Sequence, residues 1–232
     1  MNSKYRYLIP NGITFISLTC GIVSILLSAS NILWWAGLLI LSSYILDLFD
    51  GYAARKLKAG SEFGLQLDSL VDMVSLGAAP TAIAFAHMRN EEINPLLLWP
   101  TVVFFALAGA FRLARFNLLP PKESGSKDSA GLTISTGGAT LALAVLSDIV
   151  TPEQYFPDTA MLPLVIVVAL LMVSTIPFPS FFWVFSSRRK NLLLISLFGI
   201  SIWLTPFFNA WFFWTNAYLG VSLARAGYKN WR

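Results

Sequence analysis

Charge is scarce in this chain. Only 12% of its 232 residues are Asp, Glu, Lys or Arg, against about 25% in soluble domains. That shortage, with 56% of residues hydrophobic, excludes an ordinary water-soluble globule and indicates a polytopic membrane protein. The one cysteine, Cys20, excludes an internal disulfide; it lies in an apolar run and reads as a small hydrophobe. With one histidine as well, a Cys/His zinc cluster is excluded. That histidine, His87, falls at a helix end and reads as an interfacial residue. Internal repeats and low-complexity tracts are missing from the sequence. No small-residue cleavage site ends the first apolar run, so a cleavable signal peptide is not expected. The net charge of +4 comes with no nucleic-acid recognition module. It suits a basic surface beside anionic lipid headgroups, and no nucleic-acid partner is expected.

What the chain has is apolar runs, at about 8–29, 33–54, 64–87, 95–118, 130–147, 160–176, 191–205 and 209–224. Their lengths predict an all-α, polytopic membrane protein with about eight transmembrane helices. The connectors alternate in charge. In an eight-helix arrangement 15 of the 16 Lys and Arg residues fall on one side, and Arg89 alone on the other. Basic residues concentrate on the cytoplasmic side. The expected location is therefore the cell membrane, multi-pass, with both termini cytoplasmic. Residues 118–131 carry adjacent prolines and a Gly/Ser-rich stretch and read as a mobile cytoplasmic loop. Pro177 and Pro179 end the sixth helix. Tryptophans near the span ends fit aromatic belts.

Against this background the segment "DLFDGYAARKLKAGSEFGLQLDSLVD", residues 47–72, is unusual. Asp47, Asp50, Gly51 and Ala54 share one face of the second predicted helix, at i, i+3, i+4 and i+7. Gly64, Asp68 and Asp72 share one face of the third, at i, i+4 and i+8. The basic turn between them lets two antiparallel helices point both acidic faces at each other at the cytoplasmic membrane surface. A carboxylate near the bilayer centre costs roughly 2.5–3.5 kcal/mol. Arg55 could neutralise one. Hard divalent cations account for the rest, and four carboxylates can hold two such ions about 3.5–4 Å apart, as phosphoryl chemistry uses them. Gly51, Ala54 and Gly64 leave room for a diphosphate or nucleotide, small-residue helix packing being the alternative.

The pattern Asp47-x-x-Asp50-Gly51-x-x-Ala54-Arg55, eight residues, Gly64-x-x-x-Asp68-x-x-x-Asp72 resembles the signature of the CDP-alcohol phosphatidyltransferases. "YLIPNGIT", "SEFGLQLDSLVDMVSLGAAP", "AFRLARFN" and "LMVSTIPFPSF" resemble the serine-using branch of that family; together they span residues 7–181. The resemblance implies a six-helix catalytic core (1–181) followed by a C-terminal pair of transmembrane helices (182–232). It implies attack of an alcohol, here the hydroxyl of L-serine, on CDP-diacylglycerol with release of CMP. The implied cofactor is a pair of Mg²⁺ or Mn²⁺ ions, and the implied assembly is a homodimer among membrane lipids.

The implied metal ligands are Asp47, Asp50 and Asp68, with Asp72 a ligand, the general base, or both. Asp68 and Asp72 are thus the implied catalytic pair. The CDP-lipid is assigned to Asn11, Thr14, Gly51, Ala54, Arg55 and Gly64; for Asn11 and Thr14 a helix cap after Pro10 is the alternative. Serine is assigned to Arg112, Arg115 and Asn117, because guanidinium forks recognise carboxylates; plain positive-inside flanking charge is the alternative. Where relatives often have Gly-Leu-Pro, this chain has Gly131-Leu132-Thr133. Other acceptors (glycerol phosphate, inositol phosphate, choline) and an archaeal ether-lipid donor remain open. A cation channel or transporter is a distant alternative, because the aspartates cluster at one membrane face and no second acidic layer follows them.

Overall fold

A computed structural model describes residues 7–57, 59–118, 128–151, 160–179 and 188–230. Among the described residues are eight helices: α1 (Leu8–Ala29), α2 (Leu33–Lys56), α3 (Glu62–Asn90), α4 (Pro95–Leu118), α5 (Ile134–Val150), α6 (Met161–Val173), α7 (Arg188–Leu204) and α8 (Phe207–Asn230). A two-stranded antiparallel ribbon, β1 (Asp128–Ala130) with β2 (Pro177–Pro179), pairs Ser129 with Phe178. The eight predicted runs each correspond to a helix. Helices α1 to α4 are long and apolar enough to cross a membrane. The α5 and α6 helices are apolar but shorter, at 17 and 13 residues.

The core is apolar, but α1 buries a polar, small stripe and turns its large apolar side chains outward, as a lipid solvent favours. On α1 the stripe Thr14, Ser17, Gly21, Ser24, Ser28 is buried, while Phe15, Ile16, Ile22 and Leu26 face outward. The serines bind neighbouring helices. Ser43 Oγ donates to Ser17 O at 2.8 Å, Ser75 Oγ to the same carbonyl at 3.0 Å, and Ser24 Oγ to Ala36 O at 2.9 Å. Small residues allow this closeness, and hydroxyls supply hydrogen bonds where water is missing. Helix α5 is the centre: every residue from Gly137 to Ser147 is buried, against α2, α3 and α8. A helix apolar all round suits a core or a membrane span, and its burial makes α5 the former.

Helix α3 is not uniform. Directly after Asp72 it widens into a π-helical turn, Met73–Ala78, and returns to α geometry at Ala79. The turn is wedged between α1 and α5. A Cβ on Gly138 would collide with the carbonyl oxygen of Leu76 and with Pro80, so glycine there sets how closely α5 approaches the π turn.

The fifth helix starts at Ile134 rather than at 130. Residues 128–130 are strand, and Gly131 takes φ +77°, a left-handed conformation that a helix cannot contain. Thr133 then caps α5, its Oγ1 accepting from Thr136 N at 3.2 Å. Its backbone (φ −72°, ψ 146°) is one that proline also adopts. Of the expected loop at 118–131, residues 119–127 lie outside the described residues, while its end is the ordered ribbon. The expectation that α6 runs to 176 also fails. It stops at Val173, where Ser174 turns extended ahead of Pro177.

Candidate active site

Five helix ends meet at one end of the bundle: the starts of α1, α3 and α5 and the ends of α2 and α4. Helical spacing brings Asp47 and Asp50 to one face of α2, and α3 returns antiparallel with Asp68 and Asp72. One carboxylate oxygen each from Asp47, Asp50 and Asp68 lies within 4.8 Å of the others. Asp50 is 6% exposed and accepts from Thr14 Oγ1 at 2.9 Å, a hydroxyl it shares with Pro10 O at 3.0 Å. Thr14 thus orients an aspartate from within α1, and the cap expected after Pro10 is not formed, because the helix already begins at Leu8 and its N-cap, Tyr7, makes no side-chain bond.

Asp72 stands one helical turn deeper, 9% exposed, outside the three-carboxylate group. Arg112 of α4, 8% exposed, is within electrostatic reach of both Asp72 and Asp47, and its guanidinium lies 5.4 Å from the Phe116 ring centroid. Ser135, in the first turn of α5, hydrogen-bonds Asp47. Sequence reasoning did not single out Ser135. The signal was its place one residue after Ile134 opens α5, which only the fold brings to the aspartates.

The other predicted residues fall into two groups. Gly51, Ala54, Arg55, Gly64 and Asn11 border the carboxylate group. A Cβ on Gly51 would meet only Arg55 Nη1 within 3.4 Å, and one on Gly64 would meet Ser61 Oγ at 3.1 Å and Asn11 Oδ1 at 3.6 Å. Gly64 is thus packed closely on the Ser61 cap, while Gly51 fronts space that only the Arg55 side chain borders. Arg55 is exposed and able to swing over that space. Ser61 caps α3, its Oγ accepting from Gly64 N at 3.0 Å.

Arg115 and Asn117 are committed elsewhere. The Arg115 guanidinium donates to Val173 O at 2.8 Å, Ala130 O at 2.9 Å and Ser174 O at 3.0 Å. It satisfies the carbonyls that the end of α6 leaves open and ties α4 to the ribbon. Gly131 packs into the same knot; a Cβ there would sit 2.6 Å from Ser174 O and 2.9 Å from Arg115 Nη2. Asn117 Nδ2 donates to Ser69 Oγ at 3.0 Å, joining α4 to α3 beside Asp68.

Three carboxylates with a few neutral donors make a hard, all-oxygen set. That chemistry suits Mg²⁺ or Mn²⁺, and the clustering of three acids in a mostly buried place fits a divalent ion. An apolar groove of about 440 Å³ opens on the outer face of the same helices, lined by Ile9, Ile13, Leu46, Phe49, Tyr52 and Leu57, with Lys56 at its edge.

The profile of the CDP-alcohol phosphatidyltransferase family matches residues 7–222. The chain is 33% identical over 194 residues to the CDP-diacylglycerol–serine O-phosphatidyltransferase of Methanocaldococcus jannaschii, covering 84% of this chain and 81% of the relative. It is 32% identical over 173 residues to the Bacillus subtilis protein of the same name, covering 75% and 90%. It is also 30% identical over 173 residues to the archaetidylserine synthase of Methanothermobacter thermautotrophicus, covering 74% and 69%.

Proposed function

The chain belongs to the CDP-alcohol phosphatidyltransferase family, and from that premise we propose that it moves the phosphatidyl group of CDP-diacylglycerol to the hydroxyl of L-serine. The observation that carries this is the convergence of Asp47, Asp50 and Asp68 on one point, with Asp72 and Arg112 buried beside them. The relatives named for serine transfer support the acceptor.

The serine oxygen attacks the phosphorus that bears the lipid, and the bond from that phosphorus to the CMP oxygen breaks. The hydroxyl proton goes to the Asp72 carboxylate, which lies apart from the other three acids. Asp72 acts through position, held next to Arg112. Two Mg²⁺ or Mn²⁺ ions held by Asp47, Asp50 and Asp68, with Asp72 at the edge of the set, would offset charge on the diphosphate. Thr14 and Ser135 fix the rotamers of Asp50 and Asp47. Asn11, Gly51, Ala54, Arg55 and Gly64 receive the cytidine diphosphate, and the start of α5 offers its positive end to phosphate. Arg112 takes the serine carboxylate; Arg115 and Asn117 hold the walls of that pocket. The apolar groove beside α2 suits an acyl chain.

Residues 1–181 form the catalytic core in this reading and 182–232 an accessory pair, in a homodimer. The site and both termini face the cytoplasm, supported by the one-sided distribution of 15 of 16 basic residues. The archaetidylserine synthase relative favours a second donor, a CDP-linked ether lipid. Purified protein given CDP-diacylglycerol or its ether analogue, Mg²⁺ or Mn²⁺, and a panel of alcohols tests all of this. CMP release that requires L-serine is expected; release with glycerol phosphate or inositol phosphate but not serine overturns the acceptor.

A further inference from the structure

We propose that His87, Glu91 and Asp148 bind one divalent cation of the zinc, cobalt or manganese class at the end of the bundle opposite the aspartates. His87 lies in the last turn of α3 and Glu91, at i+4, is its C-cap residue; Glu91 N still donates to His87 O at 3.2 Å, so the two stay on one side of the helix end. Asp148 comes from the last turn of α5. One donor atom of each lies within 4.8 Å of the others. Tetrahedral bonds of about 2.0–2.2 Å to a shared ion put donors about 3.3–3.6 Å apart, a closure within reach of side-chain rotation.

His87 is 4% exposed, and its Nε2 is 3.7 Å from Asp148 Oδ2. Asp148 Oδ1 is buried with no hydrogen-bond partner among the described residues. The same end of the bundle holds further buried oxygens in that condition: Ser28 Oγ at the end of α1, Ser147 Oγ on α5 and Asn209 Oδ1 at the start of α8. Buried oxygen without donors is costly, and a cation with its bound water supplies what is lacking. Arg89, the basic residue in this stretch of α3, is exposed and turned to the Phe85 ring at 5.7 Å. Glu91 is exposed, which gives an ion a way in. An imidazole with two carboxylates prefers a borderline metal to Mg²⁺. The site lies 15 residues along α3 from Asp72, about 22 Å, so the ion serves to pin α3 to α5 and takes no part in transfer.

The test uses full-length protein carrying Asp47→Asn and Asp68→Asn, which removes binding at the aspartates, stripped with chelator and titrated with Zn²⁺ by calorimetry and with Co²⁺ by visible absorption. About one equivalent of Zn²⁺ should bind and raise Tm. Adding His87→Gln should remove the Co²⁺ band, and adding Glu91→Gln, at an exposed position, should weaken Zn²⁺ binding at least tenfold. No binding in the aspartate variant overturns the site, as does binding that neither His87→Gln nor Glu91→Gln reduces.

Discussion

Asp68 and Asp72 lie on one helix face, yet the fold gives them different surroundings. Asp68 joins Asp47 and Asp50; Asp72 lies deeper, facing Arg112. Asp68→Asn should cut CMP release about 10²–10³-fold, the range for removing one electrostatic contact to a transition state, with Tm nearly unchanged. A rate within a few-fold of wild type would count against its role. The two arginines should separate cleanly. Arg112→Ala should raise the KM for serine at least tenfold and leave the KM for CDP-lipid alone. Arg115→Ala removes several charge-assisted bonds to backbone carbonyls and should cost about 2–4 kcal/mol of stability, read as a fall in Tm. The spacing of the aspartates was legible because helical periodicity states which residues share a face. Which group occupies the facing side was not. Ser135 and Arg112 reach the aspartates, and Arg115 reaches α6, only through tertiary packing that no local pattern encodes.

At the level of elements, helices were readable and their junctions were not. Apolar runs report burial in lipid or core, and they located all eight helices. The ribbon β1–β2 escaped notice because three-residue strands with two prolines carry no alternation worth reading. The junction depends on single residues. Gly131→Ala forces a side chain into a left-handed backbone and against Ser174 O, and should cost about 2–4 kcal/mol. Thr133→Ala loses the α5 cap and a hydroxyl bond to Thr136 Oγ1 and should cost about 1 kcal/mol. Thermal unfolding in detergent would rank the two; the reverse order would mean that the knot at Gly131 tolerates a side chain.

For the whole molecule, the apolar exterior and four long apolar helices make it a membrane protein, and charge distribution predicts its direction. With Cys20→Ala as background, a cysteine at Lys56 should react with an impermeant reagent only after the cytoplasmic side is opened, and one at the exposed Glu92 before. Labelling at Lys56 in sealed cells would reverse the topology. The expected orientation rests on counting charges, which composition alone supplies. The depth of α5 was not legible, because an apolar helix reads the same in a core as in lipid.

The π turn at Met73–Ala78 has a further consequence, a matter of phase. It holds one more residue than an α-helical turn would. Deleting a single residue there would leave α3 locally regular and hydrogen-bonded. It would also rotate Asp68 and Asp72 by about 100° and draw them about 1.5 Å along the axis relative to His87 and the membrane-embedded half. Sequence length through this turn therefore sets the angular setting of the acids, and a one-residue gap here should be as damaging as losing an aspartate.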